Sequence, residues 1–242
     1  MGFTIGGMRE IRELRLMPRR PRRPGRVPVG TAVAEYTGLW GWDVMPGARV
    51  RHPAVRPGCS CAAAGCPTPG AHPLDPELVI PAGTPLDEAL GAWAAAWART
   101  PGAAVLLPTG RAFDVLDVPE PAGRCALLRL ERLGLPLGPV AVAPHGRVWF
   151  LVAPGAAATL PDLLYRAGWD GARLDLRCLG PGGHITAPPS DHGGLGPVRW
   201  LRAPCLESAT PPPARLLLGA LAYVCHRLAG RAAPGDAGPR VR

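Results

Sequence analysis

Two stretches of this chain carry residues whose types and spacing suit chemistry. The first is "CSCAAAGCPTPGAHP", which places Cys59, Cys61, Cys66 and His72 within fourteen residues. Three thiolates and one imidazole are a donor set that holds Zn²⁺ tetrahedrally. The loop also carries Gly65, Pro67, Pro69 and Gly70 and has little apolar content of its own, so a metal would supply order that packing does not. A structural zinc site on these four residues is the expectation, and a reduced thiol loop without metal is the alternative. The second stretch is "FDVLDVPE", residues 113–120, which reads as a strand carrying carboxylates and stopped by a proline. Metal-dependent phosphoryl transfer needs carboxylates on one face to hold cations. Side chains alternate along a strand, so the slot that shares a face with Asp117 is position 119, which is proline. Glu120 comes one residue late, and it reaches the same cation only if Pro119 breaks the strand. Asp114 falls on the opposite face and reads as a surface or salt-bridge residue.

The elements that must position these groups follow from pattern. "TPLDEALGAWAAAWART" (84–100) predicts a helix with Thr84 as its cap, Pro85 at the first helical position and Asp87 and Glu88 in the first turn. Leu86, Leu90, Trp93 and Trp97 fall on one face, and both tryptophans read as core. "GTAVAEYTGLWGW" (30–42) predicts a short helix capped by Thr31. "AAVLLP" and "FDVLDV" read as two strands around a "TGRA" turn, and "GPVAVAP" and "RVWFLVAP" as a second pair around His145 and Gly146. "AGRCALLRLERLG" (122–134) predicts an amphipathic helix closed by Gly134. "LPDLLYRAG" (160–168) predicts a short helix. "RLDLR", "GHITAPP" and "VRWLR" are strand candidates, and "ARLLLGALAYVCHRLAG" (214–230) is a last helix. Hairpins mixed with helices argue for an α+β fold rather than a doubly wound parallel sheet. The remaining cysteines, Cys125, Cys178, Cys205 and Cys225, sit in apolar runs and read as buried small hydrophobes.

Composition bounds the function. The 242 residues suffice for one substantial core. All 27 basic residues are arginine, which excludes lysine chemistry such as a phosphate-binding P-loop or a Schiff base. The net charge of +9 is uneven: residues 1–28 hold eight Arg and two Glu, and residues 231–242 hold three Arg and one Asp, so the body between them is nearly neutral. Residues 1–28, with "RRPRRPGR", read as a flexible Arg/Pro-rich arm. It is either a solvated tail or a segment that contacts a phosphate backbone. The organisation expected is arm 1–28, main domain 29–206 with the zinc-type loop at 59–72, linker 207–213, helix 214–230 and tail 231–242. No run reaches the length of a membrane span and no secretory signal is visible, so the expectation is a cytoplasmic protein without a membrane partner.

The order of motifs resembles the bifunctional DNA primase/polymerase (Prim-Pol) domain family of the archaeo-eukaryotic primase superfamily. The resemblance runs from about residue 30 to 202. It is carried by "AVAEYTGLWGWDVMPG", the cysteine loop ending "PGAHP", "WARTPGAAVLLPTG", "FDVLDVPE", "GRVWFLV", "LDLRCLGPGGHITAPPSDH" and "VRWL". It implies an RRM-like split pair of sheets with metal and nucleotide in the cleft between them. On this resemblance the first catalytic acid falls on Asp117, the second slot on Pro119, and the late acid on Asp175. The family's nucleotide-binding histidine falls on Arg147, with His145 two residues earlier, and "APPSDH" keeps Ser190 and His192. Arg147 could still contact a triphosphate through its fork. By the residues alone, Asp117 and Asp175 read equally as strand-end carboxylates satisfied by an arginine such as Arg177, and His145 as a turn residue.

The expectation is therefore a primase-polymerase-type domain that binds nucleotides and possibly DNA, with weak or absent nucleotidyl transfer. One rival is an active enzyme using Asp117, Glu120 and Asp175 with Mg²⁺ or Mn²⁺. The other is a non-catalytic interaction protein that kept the fold.

Overall fold

The computed structural model describes residues 28–51, 58–61, 63–206 and 210–232. The expected tail beyond 232, part of the expected linker and all but the last residue of the expected arm lie outside these. Helix α1 (Val29–Ala34) runs into a π-helical turn (Glu35–Leu39). Three two-residue strands follow: β1 (Met45–Pro46), β2 (Val50–Arg51) and β3 (Gly58–Cys59). The rest of the order is α2 (Leu86–Arg99), β4 (Val105–Pro108), β5 (Asp114–Pro119), α3 (Glu120–Arg132), β6 (Val140–Ala143), β7 (Arg147–Val152), α4 (Ala156–Arg166), β8 (Arg177–Leu179), β9 (His184–Thr186), β10 (Arg199–Arg202) and α5 (Arg215–Ala232).

The strands form two main antiparallel sheets. One has the order β1-β4-β9, the other β10-β6-β7-β5-β8, and β2 and β3 make a separate small ribbon. This is a mixed α/β fold with split antiparallel sheets, consistent with the RRM-like arrangement expected. One face of the larger sheet meets the smaller sheet through Val115, Trp149 and Leu151 against Leu107 and Ile185. Tyr36, Trp42 and Phe113 complete that core, with Trp42 stacked on Tyr36 at 5.7 Å and edge-on to Phe113 at 5.2 Å. The opposite face carries Leu116, Val118, Val148 and Phe150, covered by α3 and by Leu217, Leu218 and Leu221 of α5. Gly123 lets α3 seat closely on β7: a β-carbon there would lie 2.5 Å from Cβ of Val148.

Several local expectations are corrected. β4 and β5 do not form a hairpin but belong to different sheets. The Thr109–Gly110 turn is held instead by the loop before β9. Thr109 donates its N–H to Gly183 O at 2.9 Å and its hydroxyl to Gly180 O at 2.6 Å, and Gly110, at φ +100°, packs on Pro181. "RLDLR" is not a strand; β8 begins only at Arg177. Neither Thr31 nor Thr84 caps a helix. Pro28 and Pro85 hold the cap positions without side-chain bonds, and Thr84 donates its hydroxyl to Pro81 O. α2 buries Ala89, Trp93 and Ala96, so its stripe is rotated from the one expected. The two alanines let the helix backbone approach the core, which leaves Leu86, Leu90 and Trp97 at the margin, Trp97 at 38% exposure. Cys125 is exposed on α3, and of the four isolated cysteines only Cys225 is fully buried.

The close seat of α3 gives a direct test. Gly123→Val should overpack the α3–β7 contact and cost about 1–3 kcal/mol in urea denaturation. Gly91→Ala, on α2 with nothing within 4 Å of its new methyl, should instead stabilise by about 0.5–1 kcal/mol.

Candidate functional site

Asp117 lies on β5 between β7 and β8, opposite Trp149 on one side and Arg177 on the other. Its side chain is only 4% exposed. A buried carboxylate needs compensating charge, and strand register supplies it. Arg177 donates from Nη2 to one oxygen at 2.6 Å. Arg147, opposite Pro119 at the start of β7, donates from Nε to the other oxygen at 2.7 Å. The same guanidinium reaches Asp117 O through Nη2 at 3.1 Å and both oxygens of Asp175 through Nη1 at 2.8 Å. Burial pushes the Arg147 pKa down, but hydrogen bonds and charge from Asp117 and Asp175 outweigh it and the net shift is upward. Asp175, on the approach to β8, is 60% exposed.

Pro119 ends β5 and is at once the cap residue of α3, so Glu120 becomes the first residue of that helix. Its N–H donates to Gly146 O at 2.8 Å, and its carboxylate accepts from Arg124 Nε at 2.7 Å, one helical turn on. Asp114 is corrected from a surface residue to a buried one. Its Oδ2 accepts the N–H of Ala157 in the first turn of α4, and its Oδ1 has no partner among the described residues. α4 begins four residues earlier than its apolar pattern indicated, and that extra turn covers Asp114.

His145 and His192 stack at 4.3 Å, and His192 meets Trp149 edge-on at 5.7 Å. Nδ1 of His192 shares a hydrogen bond of 2.9 Å with the Thr186 hydroxyl. Burial, with His145 beside it, pulls the His192 pKa down to about 4, so it is neutral at pH 7. The His145 pKa is also lowered, chiefly by burial and then by the nearby Arg147 and Arg177, against the pull of Asp117. These rings tie the β6–β7 turn to the loop after β9, across the two sheets. Ser190 is not part of this group: its hydroxyl accepts the N–H of Val105 at 2.8 Å inside the fold.

A divalent cation of the kind used in phosphoryl transfer needs open carboxylate oxygens. Here both oxygens of Asp117 and both of Asp175 accept from guanidinium groups, and Glu120 is engaged by Arg124. In this arrangement each of the three carboxylates is paired with a guanidinium group. No group of metal-ligating residues among those described contains any of them. Sequence reasoning had Arg177 as a partner of Asp117 but missed that Arg147 would bridge the two carboxylates. The signal was present in the register, since positions 117, 119, 147 and 177 share one sheet face.

The one such group among the described residues is Cys59, Cys61, Cys66 and His72, whose donor atoms all lie within 4.8 Å of one another. Nε2 of His72 is 3.2 Å from Sγ of Cys59 and 3.5 Å from Sγ of Cys66. Its other nitrogen, Nδ1, donates to Pro73 O at 2.9 Å, which leaves the Nε2 lone pair facing the sulfurs. The N–H of Gly70 donates to Cys59 Sγ at 3.4 Å. Burial raises the Cys59 pKa, but the N–H groups of Cys61 and Gly70 and the side chains of Cys61 and His72 outweigh it and bring it down to about 6. The cluster is capable of holding a metal ion. Backbone bonds fasten it to the segment between β1 and β2: Ala48 N–H to His72 O at 2.7 Å and Ser60 N–H to Arg49 O at 2.9 Å.

With this geometry in view, comparison with protein families is decisive for class. The family model "Bifunctional DNA primase/polymerase, N-terminal" (Prim-Pol) matches residues 33–215, most of the chain. The chain belongs to that family. No curated protein and no solved structure matched it. No described helix is long and apolar enough to cross a membrane.

Two outcomes follow. Protein purified without chelator should contain one metal ion per chain by elemental analysis, and His72→Ala should lose it. Arg147→Ala, which strips the buried Asp117 of one partner, should cost up to about 3–5 kcal/mol by chemical denaturation. Arg177→Ala, whose side chain is 63% exposed, should cost about 1 kcal/mol or less.

Proposed function

We propose that this Prim-Pol domain protein binds nucleotides or nucleic acid and carries out nucleotidyl transfer weakly or not at all. Family membership supports the ligand class. The observation that carries the second half is the Asp117–Arg147–Asp175 bridge. A guanidinium occupies the space between two carboxylates that would otherwise converge on a cation, and its positive charge opposes one. Pro119 adds no side-chain oxygen, and Glu120 is paired with Arg124. Arg177, which is 63% exposed and spends Nη2 on Asp117, is the guanidinium left to meet a phosphate group, with His145 and His192 stacked beside the bridge. His192 and His145 steady the cleft wall, and Ser190 holds the loop that carries His192. The Cys59–Cys61–Cys66–His72 cluster takes Zn²⁺ in a structural role, since three thiolates and one imidazole leave no open position for catalysis.

A second reading keeps an active enzyme that uses Asp117, Glu120 and Asp175 with Mg²⁺ or Mn²⁺. The exposure of Asp175 favours it, because that half of the bridge can open without disturbing the buried Asp117.

Primer extension with Mg²⁺ or Mn²⁺ decides between the two readings. Product at or near background is the expected outcome. Robust extension by the native protein, abolished by Glu120→Ala, would show that the carboxylate had been displaced along the chain rather than lost.

A further inference from the structure

A groove of about 440 Å³ lies on the outside of the helical layer, between α3 and α5. Leu128, Leu133 and Val224 give it an apolar lining, and Arg129 and Arg132 stand at its rim. Leu128 is 55% exposed and Leu133 60%, although a separate stripe of the same helix (Ala122, Ala126, Leu127 and Leu130) already covers the sheet. α3 thus carries a second apolar edge that no described residue covers. Single exposed leucines are ordinary, but an apolar strip rimmed by charge is the pattern of an interaction surface.

The charge around this groove has one sign. Arg129 lies 5.1 Å over the Tyr223 ring and Arg227 lies 5.7 Å from it, and Arg227 donates to the Tyr223 hydroxyl at 3.0 Å. The hydrogen bond and charge of Arg227, with Arg129 beside it, bring the Tyr223 pKa down, and no carboxylate acts on it. Tyr223 holds two guanidinium groups in place without neutralising them. Arg129, Arg132 and Arg227 are in no ion pair among the described residues. α5 has no Asp or Glu from Arg215 to Ala232. The carboxylates of α3, Glu120 and Glu131, project about 160–180° around the helix from Arg129.

We propose that this groove docks an amphipathic helix of a partner protein, leucine-like on one face and flanked by Asp or Glu. Apolar anchors at i and i+3 or i+4 enter between Leu128, Leu133 and Val224, and carboxylates meet the forks of Arg129, Arg132 and Arg227. Charge decides against a second copy of this chain, because a two-fold contact uses one patch twice and would set the three arginines against themselves. A nucleic-acid backbone answers the arginines but leaves the leucines without an apolar partner. The proposal is independent of what the Asp117 cleft binds.

Isothermal titration of the full chain with three synthetic peptides tests it. The first places leucine at i, i+3 and i+7 among glutamates, the second is the same composition scrambled, and the third has lysine for every glutamate. Only the first should bind, and less tightly as salt rises. Leu128→Gln with Leu133→Gln, both at exposed positions, should weaken it roughly 5- to 30-fold. Arg129→Glu with Arg132→Glu should abolish it and bring in binding of the lysine peptide, a gain that a folding defect does not produce. No binding of the first peptide, equal binding of the scrambled one, or indifference to the leucine variants overturns the proposal. A DNA duplex that binds in place of the peptide and is lost with the arginine variants alone assigns the face to nucleic acid and overturns it too. So does a dimer in sedimentation that the leucine variants dissolve, which assigns the face to a second copy.

Discussion

A carboxylate buried on a central strand has to be neutralised, and the larger sheet is arranged around that requirement. Asp117 is almost fully enclosed, and an isolated ion in such a place costs several kcal/mol. Two guanidinium groups meet it, each on one oxygen. Both depend on strand pairing: Arg147 arrives because β7 pairs with β5 along six residues, and Arg177 because β8 pairs on the other edge. Pro119 then has a structural reason. It ends β5 where α3 must start and turns Glu120 into the first residue of a helix, where its charge suits the dipole and Arg124 lies one turn away. The residues that pair with Asp117 are also the ones that let the sheet close.

The smaller sheet has the opposite problem. Among the described residues its far face buries Met45, Ala104 and Leu106, with Val79 against them. β1 has two residues, and the chain after it is long and rich in turns. Bonds from Ala48 to His72 and from His184 to Ala71 fasten that chain to the sheet, and the Cys/His cluster is where the loop converges. Apolar burial organises one half of the domain. The other half brings three thiols and an imidazole together, a donor set capable of holding a metal ion.

How much of this could be read from sequence depends on how local the cause is. The β6–β7 hairpin was legible, because Gly146 at φ +83° sits between two apolar runs. So was the amphipathic α3, although its start was misplaced by two residues, since a proline at the cap looks like the end of a strand. The metal-type cluster was legible from donor types alone. The separation of β4 from β5 was not, because what redirects the chain at Thr109 is a loop seventy residues away. β8 was hidden for a similar reason: its three residues show no alternation and are strand only by pairing with β5. In the site, parity placed Asp117 and Pro119 on one face, but the identity of the group that meets Asp117 needed the register.

The helix α5 carries a consequence for where this protein divides. The family match stops at Arg215, the residue with which α5 begins. Yet Leu217, Leu218, Leu221 and Cys225 from that helix are at most 4% exposed. A chain cut at the boundary that similarity draws would lose these side chains from the face of the larger sheet that α3 and α5 cover together. A chain that ended there would need other apolar side chains laid over α3 and that face.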